Sequence, residues 1–205
     1  MSGWFIAFEG ADASGKSTQA TLLGQHLGAL VTRQPGDTGV GRRIRSMLLE
    51  HSPEGAVMTA RTEALLYAAD RAQHVAEVVR PVLAAGRTVV CDRYIASSLA
   101  YQSAARGLPF NEVRMISEWA TEGLWPDLTV LLRVSVDVAM ARLARTGKAD
   151  RLEAEGASLL RNVIASYDEM AARHARSWRV VDGEGSIDEI AARVREAVDS
   201  YRTSP

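Results

Sequence analysis

Between Trp4 and Leu27 the order of elements leaves few folds open to this chain. Trp4–Phe8 is a short apolar run typical of a buried strand, and a helical pattern extends from about Lys16 to Leu27. The turn between them, Gly10–Ser17, matches the pattern G-x-x-x-x-G-K-[ST] in full. Such glycines let successive backbone N–H groups curl around a phosphate chain, at which the following helix aims its positive end. We interpret this turn as a phosphate-binding loop (P-loop); an ordinary glycine-rich turn is the alternative.

Short apolar runs alternate with longer helical patterns along the rest of the chain. Further strands are predicted at Ala29–Thr32, Thr88–Cys91, Leu128–Val134 and Trp178–Val181. Helices are predicted over about 38–50, 59–85 and 110–123, from about 95, from 136 and again to about 176, and after the capping box Ser186–Glu189. Pro81 is expected to kink its helix or end it early. Because the strands are continuously apolar, we expect an α/β fold with a parallel five-stranded sheet, helices on both faces, and ligands at the carboxyl ends of the strands.

Composition narrows the class of protein further. The chain has 205 residues, of which 47% are apolar and 24% charged, so one globular domain over residues 1–205 is expected and a disordered chain is excluded. A net charge of −1 offers no basic excess for nucleic acid, and neither a signal peptide nor a membrane-spanning run is present. The single cysteine, Cys91, excludes an intramolecular disulfide and fits a reducing, cytoplasmic location.

The P-loop and the end of the third predicted strand carry residues suited to phosphate chemistry. Lys16, one of only two lysines, is expected to reach the β- and γ-phosphates of a nucleotide, and Ser17 to offer its hydroxyl to Mg²⁺. Asp92 stands where P-loop proteins place a carboxylate that helps to hold Mg²⁺. Arg93 beside it can clamp a phosphate with its fork of donors. Taken alone, Asp92 and Arg93 would be a turn aspartate and a surface arginine.

Two further groups of cations have less specific patterns. Arg33 follows the second strand next to a Pro-Gly turn, so it points either toward the ligand or into solvent. Four basic residues then follow at three-residue spacing: Arg142, Arg145, Lys148 and Arg151. A lid that closes over a transferring phosphoryl group would have this pattern, but a solvated helix end has it more often.

Longer segments of the chain resemble the bacterial thymidylate kinase family. They are Phe8–Gly10, Arg61–Arg71, Asp92–Gln102, Pro126–Asp127 and Asp150–Glu153, and the resemblance extends from Trp4 to about Met170. It implies a P-loop kinase fold, a single nucleoside monophosphate kinase domain with a small lid at about 142–153. It also implies transfer of the γ-phosphoryl group of ATP to dTMP with Mg²⁺, and a homodimer.

The resemblance also implies roles for individual residues. ATP phosphates would be bound by Gly10, Ala11, Asp12, Ala13, Ser14, Gly15, Lys16, Ser17 and Thr18. The dTMP site would consist of Asp12, Arg33, Tyr67, Arg71, Arg93, Ser98, Tyr101 and Gln102. Within it, Arg33 and Arg93 would hold the phosphate, Tyr67 would stack on thymine, and the polar edge of the base would be read by Arg71, Ser98 and Gln102. The catalytic residues would be Lys16, Arg93, Asp12, Arg145 and Arg151, and the metal-binding residues Ser17 and Asp92. Without the resemblance, the base-site residues would be interpreted as core and helix surface.

The chain departs from the family pattern at three places. The common sequence Arg-Glu-Pro-Gly-Gly becomes Arg33-Gln34-Pro35-Gly36-Asp37, which puts the geometry of that turn in doubt. Arg133 stands where the fourth strand commonly ends in Asp or Asn, and the P-loop has Ala13 and Ser14 where some members carry arginine. Because the P-loop lacks this arginine, the resemblance implies that the catalytic cation comes from the lid. A kinase for another monophosphate or for a deoxynucleoside, and a non-catalytic nucleotide-binding switch, remain as alternatives.

Overall fold

The computed structural model describes residues 3–50, 57–146 and 156–203, and its described strands form one parallel five-stranded sheet. The strands are β1 (Phe5–Glu9), β2 (Leu30–Arg33), β3 (Val89–Asp92), β4 (Leu128–Arg133) and β5 (Trp178–Asp182). They lie in the order β2-β3-β1-β4-β5, and every neighbouring pair is parallel. The predicted fold class is confirmed, and each strand end lies within one residue of its predicted position.

Helices cover both faces of the sheet. They are α1 (Lys16–Leu27), α2 (Gly39–Leu49), α3 (Ala60–His74), α4 (Arg80–Ala84), α5 (Ile95–Ser98), α6 (Phe110–Thr121), α7 (Val136–Thr146), α8 (Gly156–Arg173) and α9 (Ile187–Thr203). Alternate β1 side chains enter two separate cores: Phe5 and Ala7 face one, Ile6 and Phe8 the other. This double burial explains the continuously apolar strands. Within the described ranges, none of the helices is long and apolar enough to cross a membrane.

The predicted helix over 59–85 is interrupted ahead of Pro81. Thr59 caps its start by accepting a hydrogen bond from the N–H of Thr62, and regular α-helical bonding stops at His74. A π-helical segment, Val75–Val79, precedes α4, whose first turn contains Pro81. Because proline has no N–H and its ring crowds the preceding turn, the wider turn accommodates it without the helix ending there.

The register of the sheet brings three loops to one edge. Arg33 pairs with Asp92, and Phe8 also pairs with Asp92, so β1, β2 and β3 end side by side. The P-loop, the turn after β2 and the Asp92–Arg93 segment are therefore neighbours, as expected at the carboxyl ends of parallel strands.

The predicted lid lies partly outside the residues that the structure describes, whereas Arg133 lies within them. Of the predicted lid, about 142–153, only 142–146 lie within the described residues, where they continue α7. Lys148 and Arg151 lie outside the described residues.

Arg133, which had no predicted role, makes a bidentate pair with Asp168 of α8, with N···O distances of 2.8 and 3.0 Å. This pair fastens the end of β4 to α8.

Candidate active site

A cavity of about 470 Å³ opens at the carboxyl edge of the sheet. The predicted site residues that line it are Asp12, Ala13, Gly15, Lys16, Ser17, Thr18, Arg33, Tyr67, Asp92, Arg93, Ser98, Tyr101 and Gln102. Gly10, Ala11 and Ser14 complete the P-loop beneath them, and Arg71 lies behind the cavity wall. The structure therefore brings both predicted nucleotide sites to one cavity.

The backbone of the P-loop requires glycine at the two glycine positions of its sequence pattern. Gly10 has φ +142°, and a Cβ there would approach the carbonyl oxygen of Leu132 to 2.5 Å. Gly15 has φ +96° and immediately precedes α1, whose N-terminus faces the loop. Larger residues would be strained at both positions, so the loop can keep its curled backbone only with glycine.

Lys16 lies beneath the loop and is almost fully buried. Its Nζ donates to the carbonyl oxygen of Ala11 at 2.6 Å and to Ser14 Oγ at 3.3 Å. Burial lowers the pKa of the ammonium to about 8, with Arg93 acting in the same direction and Asp12 opposing it. An anionic phosphate chain in the cavity would favour the charged form, so a bound nucleotide and a protonated Lys16 support each other.

Ser17 and Asp92 meet at the floor of the cavity. Ser17 Oγ donates to Asp92 Oδ2 at 2.5 Å, while the buried Oδ1 of Asp92 accepts no hydrogen bond from the described residues. Buried carboxylate oxygens are normally partnered, and hard oxygens of this kind are the ligands that Mg²⁺ prefers. The pair therefore fits a Mg²⁺ ion shared with a nucleotide.

Arg93 and Asp12 form an ion pair across the cavity wall. Nη2 of Arg93 contacts Asp12 Oδ1, and Tyr101 donates to the other carboxylate oxygen at 2.6 Å. Burial by itself raises the pKa of Asp12, but Arg93, Lys16 and the Tyr101 hydroxyl outweigh it and the pKa is lowered. Asp12 is thus an ionised anchor that orients Arg93, whose guanidinium also lies over the Tyr101 ring at 5.2 Å.

The opposite end of the cavity is lined by amide, hydroxyl and aromatic groups. Arg71 is 2% exposed, and its guanidinium donates to Gln34 Oε1, Ser117 Oγ, Ser98 Oγ and the carbonyl oxygen of Tyr94. These bonds use four of its five N–H groups and leave one, on Nη1, unused within the described part of the chain. The guanidinium therefore supports the groups that line this end of the cavity.

Gln102 at the same end is held from outside the cavity. Its Nε2 donates to the buried Glu63 Oε1 at 2.9 Å, and Arg106 pairs with the same carboxylate at 3.3 Å. The Gln102 amide is thereby fixed with its nitrogen toward Glu63. Tyr67 stands half-buried on α3 nearby and lines the cavity.

Sequence reasoning gave no role in the site to several residues that line the cavity, among them Arg142 and Gln34. Arg142 was grouped only with the basic run, but it donates to the carbonyl oxygens of Ala13 and Ser14 at 3.4 and 3.2 Å and so braces the P-loop. Gln34 was treated only as a departure from the family pattern. The spacing of the basic run could have suggested Arg142, whereas no local signal marks Gln34. Arg145, one turn after Arg142, is exposed.

A P-loop on a parallel sheet, with further arginines lining the same cavity, defines a phosphotransferase of the P-loop class. The model of the thymidylate kinase family matches residues 8–194 of this chain. The chain belongs to the thymidylate kinase family, which confirms the resemblance found in the sequence.

Individual relatives agree with that assignment. The chain is 45% identical over 203 residues to a thymidylate kinase of Cutibacterium acnes, covering 97% of each chain. It is 48% identical over 204 residues to one of Leifsonia xyli, covering 96% of this chain and 95% of the relative. A crystal structure of thymidylate kinase from Ehrlichia chaffeensis, 23% identical, superposes with a TM-score of 0.78 over 97% of this chain and all of the other, and supports the fold.

Proposed function

We propose that this chain carries out the reaction of its family, the transfer of the γ-phosphoryl group of ATP to dTMP to give dTDP and ADP, as one nucleoside monophosphate kinase domain. The observation that carries the proposal is that one cavity is lined by Lys16 and the P-loop together with two further cations, Arg33 and Arg93. A nucleotide-binding switch has no need of a second group of phosphate-binding arginines.

The reaction needs charge stabilisation rather than a general base. A phosphate monoester has its second pKa near 6, so the acceptor oxygen of dTMP is mostly anionic at pH 7. At ~4 Å two unit charges repel by about 4 kcal/mol at an effective dielectric of 20. Lys16, Arg93 and Arg33 offset this repulsion and stabilise the charge that spreads over the transferring group.

The metal site in this proposal consists of Ser17 and Asp92. A Mg²⁺ ion bound there with ATP would neutralise charge on the phosphates. The 2.5 Å bond between the two side chains keeps both oxygens on the floor of the cavity, and the unpartnered Asp92 Oδ1 is available as a ligand.

At the base end, the donors and acceptors match a thymine. The Nε2 of Gln102 is committed to Glu63, so its carbonyl oxygen is the group left to accept from the N3–H of the base. Arg71 acts from behind the wall: it donates to Ser98 Oγ, which leaves the hydroxyl proton of Ser98 for the O4 carbonyl, and Tyr67 supplies a face for stacking. Cytosine carries an amino group at C4 and no proton on N3, so it would leave these groups unpaired, at a cost of about 1–3 kcal/mol each.

Coupled ADP release with ATP and Mg²⁺ over a panel of acceptors tests the function. We expect the efficiency to fall in the order dTMP, dUMP, dCMP, with dUMP losing only a methyl contact and dCMP far behind. Thymidine should not be phosphorylated, because the described cavity offers cations for an anionic acceptor. Faster turnover of thymidine would indicate a deoxynucleoside kinase, and no turnover of any acceptor a nucleotide-binding switch.

The lid cations are proposed to act in the chemical step. Because Lys16 is the only basic residue of the P-loop, Arg145→Ala or Arg151→Ala should lower kcat, by about 10²-fold, with KM for dTMP little changed. Steady-state kinetics with both substrates measure this split. Arg161→Ala, which removes an exposed arginine of α8, is the matched control. If both lid variants have wild-type rates, the alternative interpretation holds, in which the basic run is a solvated helix end.

A homodimer is the assembly we propose, with α3 and α6 as its surface. Met115 and Trp119 lie four residues apart on α6 and are 66% and 83% exposed. Leu65 of α3 is 58% exposed, and α3 packs against α6. Exposed apolar side chains on adjoining helices favour association. The single cysteine, buried Cys91, supports the cytoplasm as the place of the reaction.

A further inference from the structure

A buried series of hydrogen bonds joins Arg71 to the turn after β2. Arg71 Nε donates to Gln34 Oε1 at 3.1 Å, and Gln34 Nε2 lies 2.7 Å from His74 Nδ1. On the other side of the ring, His74 Nε2 lies 2.7 Å from Thr32 Oγ1, which donates to Asp37 Oδ2 at 2.9 Å. All but Asp37 are buried. We call these five residues the relay.

The chemistry of the two ends determines the direction of every bond in the relay. Arg71 has only donors, so the oxygen of Gln34 must face it and the amide nitrogen must donate to His74 Nδ1. The His74 ring therefore carries its proton on Nε2 and donates to Thr32. The single hydroxyl proton of Thr32 goes to the Asp37 carboxylate, which only accepts. All bonds of the relay consequently run from donor to acceptor in one direction, from Arg71 to Asp37.

Only a neutral His74 ring fits this arrangement. A proton on Nδ1 would face the amide protons of Gln34, and Gln34 cannot rotate without turning those protons toward Arg71. Burial lowers the pKa of His74 to about 4; Arg71 acts in the same direction, while Asp37 and Glu77 oppose it. The charge state that burial favours is thus the one that the bonding pattern requires.

We propose that Gln34, His74 and Asp37 are positioning residues that hold Arg71 and Arg33 in a fixed relation. Asp37 accepts the backbone N–H of Arg33 at 2.9 Å and pairs with its guanidinium at 3.3 Å. The relay thus connects the base end of the cavity to an arginine at its phosphate end. This inference rests on the proposed function, in which Arg71 supports base recognition and Arg33 holds the phosphate of dTMP.

The relay also links the two residues at which the turn departs from the family pattern, Gln34 and Asp37. A glutamate at position 34 would offer only acceptors, so His74 Nδ1 would have to donate to it. A neutral ring would then accept at Nε2 from Thr32, whose proton would no longer reach Asp37. Glutamine at position 34 and an acceptor at position 37 therefore belong together. The amide of Gln34 sets the direction of the hydrogen bonds, and that direction requires an acceptor at position 37.

The tautomer of His74 tests the relay without any change to the binding residues. Long-range ¹H–¹⁵N spectra of the wild-type protein at pH 7 should show a neutral His74 ring with its proton on Nε2. The loss of its signals in His74→Phe assigns them. In Gln34→Glu, a proton should appear on Nδ1. A wild-type ring that carries a proton on Nδ1 would overturn the proposal.

Kinetics test the positioning role. His74→Phe keeps a ring and removes both of its hydrogen bonds, so Gln34 and Arg71 lose their fixed orientation. We expect KM for dTMP to rise about tenfold, and the dTMP/dCMP ratio of kcat/KM to fall to a similar extent, with KM for ATP unchanged. His174→Phe makes the same substitution at an exposed site and should change none of these values. An unchanged KM for dTMP and an unchanged ratio in His74→Phe would refute the role.

The two measurements separate this inference from the proposed function. If the wild-type protein fails to phosphorylate dTMP, the proposed function is refuted. The tautomer of His74 would still show whether the relay exists. If His74→Phe does not fold, Gln34→Leu, which removes the bonds to both Arg71 and His74, takes its place in the same kinetic comparison. A wild-type dTMP/dCMP ratio in Gln34→Leu would then count against the positioning role.

Discussion

Replacing Lys16 with alanine is expected to lower kcat by about 10²–10³-fold, because one preorganised cation is lost from the phosphate site. Lys16 is buried and bonded to the carbonyl oxygen of Ala11, so its ammonium already lies within the P-loop before a nucleotide binds. Coupled ADP release with saturating ATP and dTMP measures the effect, and circular dichroism shows whether the variant is folded.

Lys16→Arg makes the test sharper. A guanidinium keeps the charge but is larger and planar, and the space beneath the loop is shaped for a compact ammonium. We therefore expect Lys16→Arg to lose most of the activity as well. Retention of more than about a tenth of the wild-type rate in a folded Lys16→Ala variant would contradict the role assigned to the P-loop.

Replacing Arg93 with alanine is expected to lower kcat/KM for dTMP by a comparable factor, about 10²–10³-fold. The substitution removes a phosphate-binding fork and also leaves the Asp12 carboxylate without its ion-pair partner. An unpaired carboxylate would then face the phosphates of both substrates. Arg93→Lys should recover only part of the loss, since a single ammonium cannot reproduce the contacts to Asp12 and Ser97 together.

The double variant Arg93→Ala/Asp12→Asn separates the two contributions. If repulsion from the bare carboxylate adds to the damage, the double variant should be more active than Arg93→Ala alone. Arg173→Ala, which removes an exposed arginine paired with Glu169, is the control and should behave as wild type. A wild-type value of kcat/KM for dTMP in Arg93→Ala would contradict the phosphate-binding role proposed for Arg93.

The predictable part of the site lies where a local pattern has only one physical meaning. The P-loop is such a pattern, because Gly10 and Gly15 adopt positive φ and Lys16 follows them directly. Asp92 was predictable only together with the P-loop, because its place at the end of an apolar strand taken alone also fits a turn aspartate. Family resemblance, rather than local physics, pointed to Tyr67, Ser98 and Gln102, whose patterns also fit plain core and helix surface.

Other features could not be predicted from neighbouring residues. The resemblance assigned Arg71 to the dTMP site, but nothing in the sequence pointed to the bonds of its guanidinium to Ser98 and Gln34. The basic run favoured a single role for its members, yet Arg142 braces the P-loop while Arg145 faces solvent. Each outcome depends on which distant backbone or side chain a long, flexible arginine meets.

The sequence by itself determined the sheet, the P-loop and the family. Strand patterns and glycine positions depend on only a few neighbouring residues, so they can be recognised from the sequence alone. Only the tertiary structure decided how Gln34 and His74 are used. They are 40 residues apart and become partners when α3 lies against the turn after β2. The direction of a hydrogen bond depends on what stands at both of its ends, and those ends meet only in the folded protein.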